Sequence, residues 1–204
     1  MPKGWDGLIS RKINRKFSRP IARFLAEHTN LTPNQVSILS FIVGVFSGIS
    51  FLLNQPILGG LLAQFASILD GVDGDLAVIT GRTSAFGGFL DSILDRYCDL
   101  SILLGMAYSF LLTFGQNICS VAIAFAALFG SLMVSYSRAK AETDLGVIFR
   151  TGFSGYAANR DVRLFIIMLG GILNQIPATL IVLAALTNLT VAKRVYDVRR
   201  VSGG

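Results

Sequence analysis

The chain is poor in the residues on which most enzyme sites are built. It has one histidine, His28, which excludes a metal site made of several histidines. Its two cysteines, Cys98 and Cys119, stand apart in apolar runs, so no CxxC zinc or redox motif is present. Both are predicted to be small buried hydrophobic residues. Acid-base chemistry must therefore depend on carboxylates, although only 12 of the 204 residues are acidic.

Charged residues of either sign are also scarce. They make up 15% of the chain, while 52% is hydrophobic and the mean hydropathy is +0.62, which is outside the usual range of soluble domains. A membrane span needs about 20 apolar residues. The apolar runs predict an all-α membrane protein with six transmembrane helices, the fifth being short, at 35–53, 58–80, 85–113, 118–140, 162–174 and 176–196.

Basic residues are missing from three of the predicted turns, 54–57, 114–117 and 174–177. Lysine and arginine lie instead near the opposite ends of the spans, and such residues mark the cytoplasmic side. The sequence therefore predicts a multi-pass protein of the cell membrane with both termini and the active site in the cytoplasm. The net charge of +6 is explained by this orientation and by anionic ligands; no nucleic-acid partner is expected, because the basic residues are divided among span ends.

The segment before the first span, residues 1–30, has apolar residues at helical spacing opposite arginine and lysine. This pattern predicts a juxtamembrane amphipathic helix that contacts membrane lipids, with Pro20 expected to bend or interrupt it. A soluble helix packed on another domain is the alternative. Residues 31–200 are predicted to form the transmembrane domain, with Thr32 as the N-cap of the first span and Pro33 at its first helical position.

Half of the 12 acidic residues lie in the second and third predicted spans and the turn between them. Asp70 and Asp73, three residues apart, share one face of the second span. Asp91 and Asp95, four residues apart, share one face of the third. Asp73 and Asp91 each stand nine residues from Arg82, near the centre of the turn. At a rise of about 1.5 Å per residue, the two pairs are predicted to face each other at matched depths in an antiparallel hairpin.

Four carboxylates that converge within a membrane domain repel one another unless they are paired, hydrated or bound to cations. Oxygen ligands suit Mg²⁺ or Mn²⁺, and two such ions would neutralise the set and clamp a phosphate group. Four glycines nearby permit close approach of a nucleotide, with helix packing through small residues as an equal alternative; they are Gly71, Gly74, Gly87 and Gly88.

The order of these residues resembles a family signature. The segment Asp70-Gly71-Val72-Asp73-Gly74-Asp75-Leu76-Ala77, followed by Gly87-x3-Asp91-x3-Asp95, is similar to D-x2-D-G-x2-A-R-x8-9-G-x3-D-x3-D of the CDP-alcohol phosphotransferase family. One position departs, because Val78 stands where the family has an arginine that contributes to nucleotide or phosphate binding in relatives. Weakened or absent activity is therefore one interpretation, unless Arg82 or Arg96 substitutes for the missing side chain.

The resemblance implies a reaction in which the hydroxyl of an acceptor attacks the β-phosphorus of a CDP-alcohol and CMP leaves. It implies two Mg²⁺ or Mn²⁺ ions held by Asp70, Asp73, Asp91 and Asp95, with Asp95 also accepting the proton of the attacking hydroxyl. It implies a homodimer as well. The residues that it assigns to the nucleotide are Thr32, Asn34, Gly74, Ala77, Ser84 and Gly87.

Arg138, Arg160 and Arg163 lie at the cytoplasmic ends of the fourth and fifth predicted spans. They are interpreted either as a pocket for an anionic alcohol acceptor or as anchors that orient the spans. A Tyr-x-x-Ala-x-Ala-Glu pattern that begins at Tyr136, followed by paired arginines, is similar to family members that use inositol phosphate as acceptor. The resemblance therefore favours the pocket.

Two subgroups of the family fit this pattern. In one the donor is CDP-diacylglycerol and the product is a phosphatidylinositol phosphate; in the other the donor is CDP-inositol and the product is di-myo-inositol phosphate phosphate. The stretch "WDGLISRKINRKFSRPIARFL" is similar to the second subgroup, whose members carry a soluble cytidylyltransferase-like domain before the membrane domain. The beginning at Gly4 without a lead-in then predicts a membrane domain cut from a longer protein.

Two other classes of function remain open at this stage. Aspartates buried between spans also occur in cation transporters, which would move divalent cations without releasing CMP. The second class is a degenerate family member that binds its ligands without reacting, since Val78 replaces the motif arginine.

Overall fold

The computed structural model describes residues 9–149 and 152–202. After a π-helical turn at Ser10–Asn14, these residues form eight α-helices joined by short loops: α1 Arg15–His28, α2 Pro33–Leu52, α3 Pro56–Ile79, α4 Ala85–Phe114, α5 Ile118–Leu145, α6 Gly152–Tyr156, α7 Arg160–Ile172 and α8 Ile176–Ser202. The first eight positions of the predicted amphipathic segment, Gly4 among them, lie outside the described residues, as does Arg150.

Five of these helices are long and apolar enough to cross a membrane: α2, α3, α4, α5 and α8 as far as Arg200. They coincide with five of the six predicted spans, and the all-α prediction is confirmed. The fifth predicted span, 162–174, corresponds to α7, which has only 13 residues. This is short of the about 20 that a straight span needs.

Helix α2 begins where the sequence predicts. The Thr32 hydroxyl accepts a hydrogen bond from the Gln35 N–H, and the Gln35 side chain accepts one from the Thr32 N–H at 2.8 Å. Pro33 occupies the first helical position, where its missing N–H costs nothing. The capping prediction is confirmed, and the reciprocal pair places Asn34 in the first turn of α2.

Helix α2 packs against both α3 and α4, α3 also packs against α1 and α7, and α5 packs against α8. Gly48 and Gly105 let α2 and α4 approach closely: a Cβ on Gly105 would lie only 2.1 Å from the Gly48 carbonyl oxygen. Within the described residues, α3 and α4 pack mainly on α2, which contacts both, and not on each other along their lengths.

Helix α1 lies along α3. Ser18 and Ala22 are buried, and Ala22 packs with Val72 and Leu76, whereas Phe17 on the other side of the helix is 55% exposed. The helix is continuous through Pro20, so the expected interruption at this proline does not occur. Contacts along the buried face of a helix can outweigh the one backbone hydrogen bond that a proline removes.

The two cysteines differ in burial. Cys98 is buried as predicted, and a Cβ on Gly44 would lie 2.1 Å from its sulfur, so α2 and α4 meet closely there. Cys119 is exposed, which corrects the prediction that both are buried. It lies in the first turn of α5, directly after the cap at Asn117, where few neighbours cover a side chain.

Candidate active site

Three of the predicted aspartates meet in the half of the bundle that contains the loop between α3 and α4. Asp70 of α3 and Asp91 and Asp95 of α4 each offer a carboxylate oxygen, and these oxygens lie within 4.8 Å of one another. All three side chains are partly buried. A set of three hard oxygen donors at this spacing suits a divalent cation of the Mg²⁺ or Mn²⁺ type. The residues present therefore fit such an ion.

Asp73 lies beside this group of three. It is buried, it accepts a hydrogen bond from the Ser37 hydroxyl of α2, and it lines a cavity together with Asp91. Helix α2 thus holds Asp73 through the Ser37 hydroxyl. The structure brings together three of the four predicted ligands and sets the fourth next to Asp91.

Arg160, at the start of α7, contacts the aspartate group directly. Its Nη1 atom lies 3.0 Å from the Oδ1 atoms of both Asp70 and Asp95, and its Nε atom lies 3.1 Å from Oδ1 of Asp99. One guanidinium therefore joins α3 and α4 at the depth of the carboxylates. Its positive charge offsets part of their repulsion.

A cavity of about 100 Å³ opens on one side of the aspartates, where α2 begins, α3 ends and α4 begins. We call it the glycine cavity; it is lined by Pro33, Asn34, Ser37, Asp73, Gly74, Ala77, Arg82, Thr83, Ser84, Gly87, Gly88 and Asp91. A Cβ added to Gly74 or Gly88 would meet no atom within 4 Å. Helix packing therefore does not require these two glycines, and their lack of a side chain widens the cavity.

Five of the six residues predicted for the nucleotide line this cavity: Asn34, Gly74, Ala77, Ser84 and Gly87. Thr32 is not among the lining residues, because its hydroxyl is engaged in capping α2. Sequence reasoning missed Ser37, although it lies one helical turn after Asn34 on the same face of α2. Arg82 was considered only as a substitute for the arginine missing at Val78.

A second cavity, of about 230 Å³, lies on the other side of the aspartates between α4, α5 and α7. We call it the arginine cavity; it is lined by Ser92, Arg96, Val134, Ser135, Arg138, Ala139, Glu142, Asn159, Arg160 and Arg163. All three arginines predicted for the acceptor lie here. Glu142 is the last residue of the Tyr-x-x-Ala-x-Ala-Glu pattern, but sequence reasoning did not place Arg96 with them, since Arg96 is on α4 and no spacing relates it to α5 or α7.

Two arginines of this cavity are held in place by fixed partners. Arg138 donates to the Gly155 carbonyl and to Asn159 Oδ1, both at 2.7 Å. Arg163 donates to the Ala158 carbonyl at 2.7 Å and to the Asp99 carboxylate. In contrast, three buried polar atoms of the lining have no hydrogen-bond partner among the described residues, namely Nε of Arg96, Oε1 of Glu142 and Nη1 of Arg160, although the last has ion pairs with Asp70 and Asp95. The two arginine nitrogens are donors and the glutamate oxygen is an acceptor.

The two remaining aspartates of the motif region have structural partners. Asp99 pairs with Arg160 and Arg163 of α7, whereas Arg96 contacts Asp95 at 3.3 Å. Asp75 accepts hydrogen bonds from Arg15 and Ser18 of α1. Only the packing of α1 and α7 on the bundle decides these pairings, so sequence spacing could not identify them.

A family model described as CDP-alcohol phosphatidyltransferase matches residues 30–195. The chain belongs to this family. Together with the five apolar helices, membership marks it as an integral membrane protein. The family and the similar proteins below are CDP-alcohol phosphotransferases and synthases, which confirms the resemblance inferred from the aspartate motif.

Two similar proteins illustrate the relationship. The Bifunctional IPC transferase and DIPP synthase of Aquifex aeolicus is 41% identical over 203 residues, which cover 97% of this chain and 45% of that protein. The Archaetidylinositol phosphate synthase of Pyrococcus horikoshii is 35% identical over 191 residues, covering 93% of this chain and 96% of that protein. The chain thus spans about half the length of the bifunctional relatives and nearly the whole length of the second type.

Solved structures of the same family share the fold. A crystal structure of Mycobacterium tuberculosis phosphatidylinositol phosphate synthase with CDP-DAG bound matches with a TM-score of 0.75 and 26% identity, covering 90% of this chain and 94% of that one. The same enzyme in complex with manganese and citrate matches with a TM-score of 0.76 and 26% identity, covering 89% and 88%. A divalent metal therefore accompanies a protein of this fold.

The family member described here differs from the signature at Val78. This side chain is 54% exposed and is not among the residues that line the glycine cavity. Arg82, four residues later, does line it. The other candidate substitute, Arg96, lines the arginine cavity on the far side of the aspartates.

Proposed function

We propose that the protein transfers a substituted phosphate group from a CDP-alcohol to the hydroxyl of an inositol phosphate, with release of CMP, and that CDP-inositol is the favoured donor. The observation that carries this proposal is the meeting of two unlike cavities at one group of carboxylates. Asp91 and Asp73 belong to the glycine cavity, while Arg160 belongs to the arginine cavity and touches Asp70 and Asp95. A donor in the first cavity and an acceptor in the second would have their reacting groups side by side.

Asp70, Asp73, Asp91 and Asp95 would hold two Mg²⁺ or Mn²⁺ ions. Three of the four carboxylates already converge within 4.8 Å, and the fourth lies beside Asp91. When bound, these ions supply neutralisation of the charge on the phosphate oxygens. Ser37 orients Asp73 by donating a hydrogen bond, which is the kind of outer contact that tunes ligating carboxylates.

The glycine cavity would hold the cytidine and its phosphates. Gly74 and Gly88 leave room for close approach of a ligand, and Asn34 and Ser84 present polar side chains at its edge. Thr32 stays a prediction for this site; its capping of α2 supports a role in positioning Asn34.

The arginine cavity would hold the acceptor. Arg138 and Arg163 present guanidinium groups fixed by their own partners, which suits recognition of a phosphate. Two of the buried atoms without a hydrogen-bond partner, Arg96 Nε and Glu142 Oε1, need an acceptor and a donor respectively. A phosphorylated polyol supplies both, through its phosphate oxygens and its hydroxyl groups.

Asp95 would accept the proton of the attacking hydroxyl. The acceptor oxygen forms a bond to the β-phosphorus, the bond from that phosphorus to the CMP oxygen breaks, and CMP leaves with the electron pair. Asp95 stands between the cavities, because it belongs to the aspartate group and also contacts Arg160 and Arg96. A carboxylate within hydrogen-bond reach of the hydroxyl can act as the general base.

In this proposal the protein would lie in the cell membrane with both termini and both cavities on the cytoplasmic side. Helix α7 would complete a six-helix bundle of residues 31–200, since it packs against α3 and α8 within the bundle. The amphipathic helix would lie at the membrane interface, with Phe17 and Phe24 toward lipid.

The active form would be a homodimer. In nature the domain would follow a soluble cytidylyltransferase-like domain, as the bifunctional relatives support.

A second donor has its own support. The Archaetidylinositol phosphate synthase relatives match nearly their whole length, and the solved relative holds CDP-DAG. A CDP-diacylglycerol donor would make the protein a phospholipid synthase similar to phosphatidylinositol phosphate synthase.

The test is CMP release by the detergent-purified protein with Mg²⁺ or Mn²⁺ and inositol 1-phosphate, with either CDP-inositol or CDP-diacylglycerol as donor. CMP from CDP-inositol alone supports the favoured function, and CMP from CDP-diacylglycerol alone supports the second. Flux of divalent cations without CMP release would contradict both.

A further inference from the structure

Arg82 is the one basic residue among the described residues that line the glycine cavity. The same lining contains two carboxylates, Asp73 and Asp91. A nucleoside diphosphate would bring further negative charge into this space. Cations near its oxygens are therefore needed, and an arginine can donate two parallel hydrogen bonds to a phosphate.

The position of Arg82 is set by the end of α3. Gly81 adopts a left-handed conformation with φ +66°, which reverses the chain. The Arg82 N–H then donates to the Ala77 carbonyl at 3.0 Å, while the Thr80 N–H donates to the Leu76 carbonyl at 2.9 Å. The bond from the Arg82 N–H to the Ala77 carbonyl spans six residues and is typical of a helix that ends in a glycine turn. The turn carries the backbone of Arg82 back to the level of Ala77, next to position 78.

Position 78 itself has no side chain that could bind a phosphate. Val78 is apolar, half exposed and outside the lining, whereas the Arg82 side chain is exposed at the mouth of the cavity. The family signature has an arginine at position 78. The glycine turn therefore presents an arginine from the loop at nearly the place where the motif would present one from the helix.

We propose that Arg82 binds the diphosphate of the donor in the glycine cavity and so takes the role of the arginine that Val78 replaces. This inference rests on the proposed function, because its ligand is the CDP group of the donor. Arg82 acts from a loop, so its guanidinium approaches the cavity from the turn between α3 and α4 and not from the α3 surface.

The test is calorimetric titration of CDP into the detergent-purified protein with Mg²⁺ present. Loss of a hydrogen-bonded charge should weaken CDP binding of Arg82→Gln about tenfold to a hundredfold. Arg82→Lys keeps the positive charge but not the paired N–H donors of the guanidinium. Its affinity for CDP should therefore fall less than that of Arg82→Gln. Arg199→Gln is the matched control, since Arg199 is an exposed arginine at the end of α8, outside both cavities, and its variant should bind CDP as the wild type does.

Restoring the motif arginine provides the sharper comparison. Val78→Arg should rescue most of the lost affinity in the Arg82→Gln background and should add little to the wild-type chain, because the two arginines would serve the same phosphate. Equal CDP affinity of the wild type and Arg82→Gln would overturn the role of Arg82 and leave the proposed function standing. Absence of CDP binding by the wild type would overturn both.

Discussion

The glycine cavity and the arginine cavity both border the aspartate group but are lined by different kinds of residue. The glycine cavity offers space, two carboxylates and a single arginine. The arginine cavity draws four arginines from three helices and holds two of them by hydrogen bonds to neighbouring groups. Ligand binding in the glycine cavity should respond to side chains that add volume and to the removal of divalent cations. Ligand binding in the arginine cavity should respond to the loss of individual charged side chains.

The largest effect is expected where the two cavities meet. Asp95→Asn should lower the rate of CMP release about 10²- to 10⁴-fold, because the variant loses the group that accepts the proton. CDP binding should change much less, since Asp70, Asp73 and Asp91 remain. A stopped assay measures the rate of CMP release, and titration of CDP into the same preparation measures the affinity for CDP.

The matched control for this variant is Asp144→Asn. Asp144 is an exposed residue near the end of α5 that pairs with Lys140 at 2.7 Å, outside both cavities. It should leave the rate of CMP release unchanged. If Asp95→Asn weakens CDP binding as strongly as it slows CMP release, Asp95 is chiefly a ligand of the metal and not the proton acceptor.

Next in size is the loss of an arginine from the arginine cavity. Arg138→Gln should raise the KM for inositol 1-phosphate about tenfold to a hundredfold while the KM for the CDP-alcohol stays within about twofold. The reason is that Arg138 lines the arginine cavity and not the glycine cavity. Lys140→Gln, two residues later on the same helix and exposed, is the control. An unchanged acceptor KM would assign Arg138 to anchoring α5 at the membrane surface.

Glycines of the two kinds should respond oppositely to alanine. A Cβ at Gly74 meets nothing, so Gly74→Ala should keep or slightly raise thermal stability while weakening CDP binding about tenfold by filling the glycine cavity. A Cβ at Gly105 would collide with the α2 backbone, so Gly105→Ala should lower the free energy of unfolding by about 1–3 kcal/mol. Thermal melts in detergent and CDP titration separate these effects. Unaltered CDP affinity of Gly74→Ala would mean that no nucleotide reaches this glycine.

The smallest effect distinguishes the hydroxyls of the acceptor from its phosphate. Glu142→Gln should raise the KM for inositol 1-phosphate several-fold, because the buried Oε1 atom would no longer accept from a hydroxyl as a charged group. Competition by inorganic phosphate, which has no polyol, should keep the same inhibition constant. An equal change for both ligands would show that Glu142 acts only by arranging Arg138.

The sequence was most informative about the aspartates, because their spacing within two helices determines which side chains share a face. The periodicity alone placed Asp91 with Asp95 and related them to Asp70, and the structure brings these three together. The capping of α2 by Thr32 followed in the same way from a local rule. These features depend on residues close in the chain.

Features that depend on how helices meet were out of reach. Nothing in the spacing shows that α2 lies between α3 and α4, that Arg160 touches Asp70 and Asp95, or that Arg96 and Glu142 share a cavity. The pairing of Asp75 with Arg15 likewise exists only because α1 folds along α3. Such contacts join residues far apart in the chain, so only tertiary packing specifies them.

The central claim is that donor and acceptor occupy two cavities at once and that the phosphate passes directly between them. Initial rates of CMP release, measured while both substrate concentrations vary, test it most directly. Lines that intersect in double-reciprocal plots are predicted, since both substrates must be bound before CMP leaves. Parallel lines, the pattern of a ping-pong mechanism with a covalent enzyme intermediate, would contradict the account.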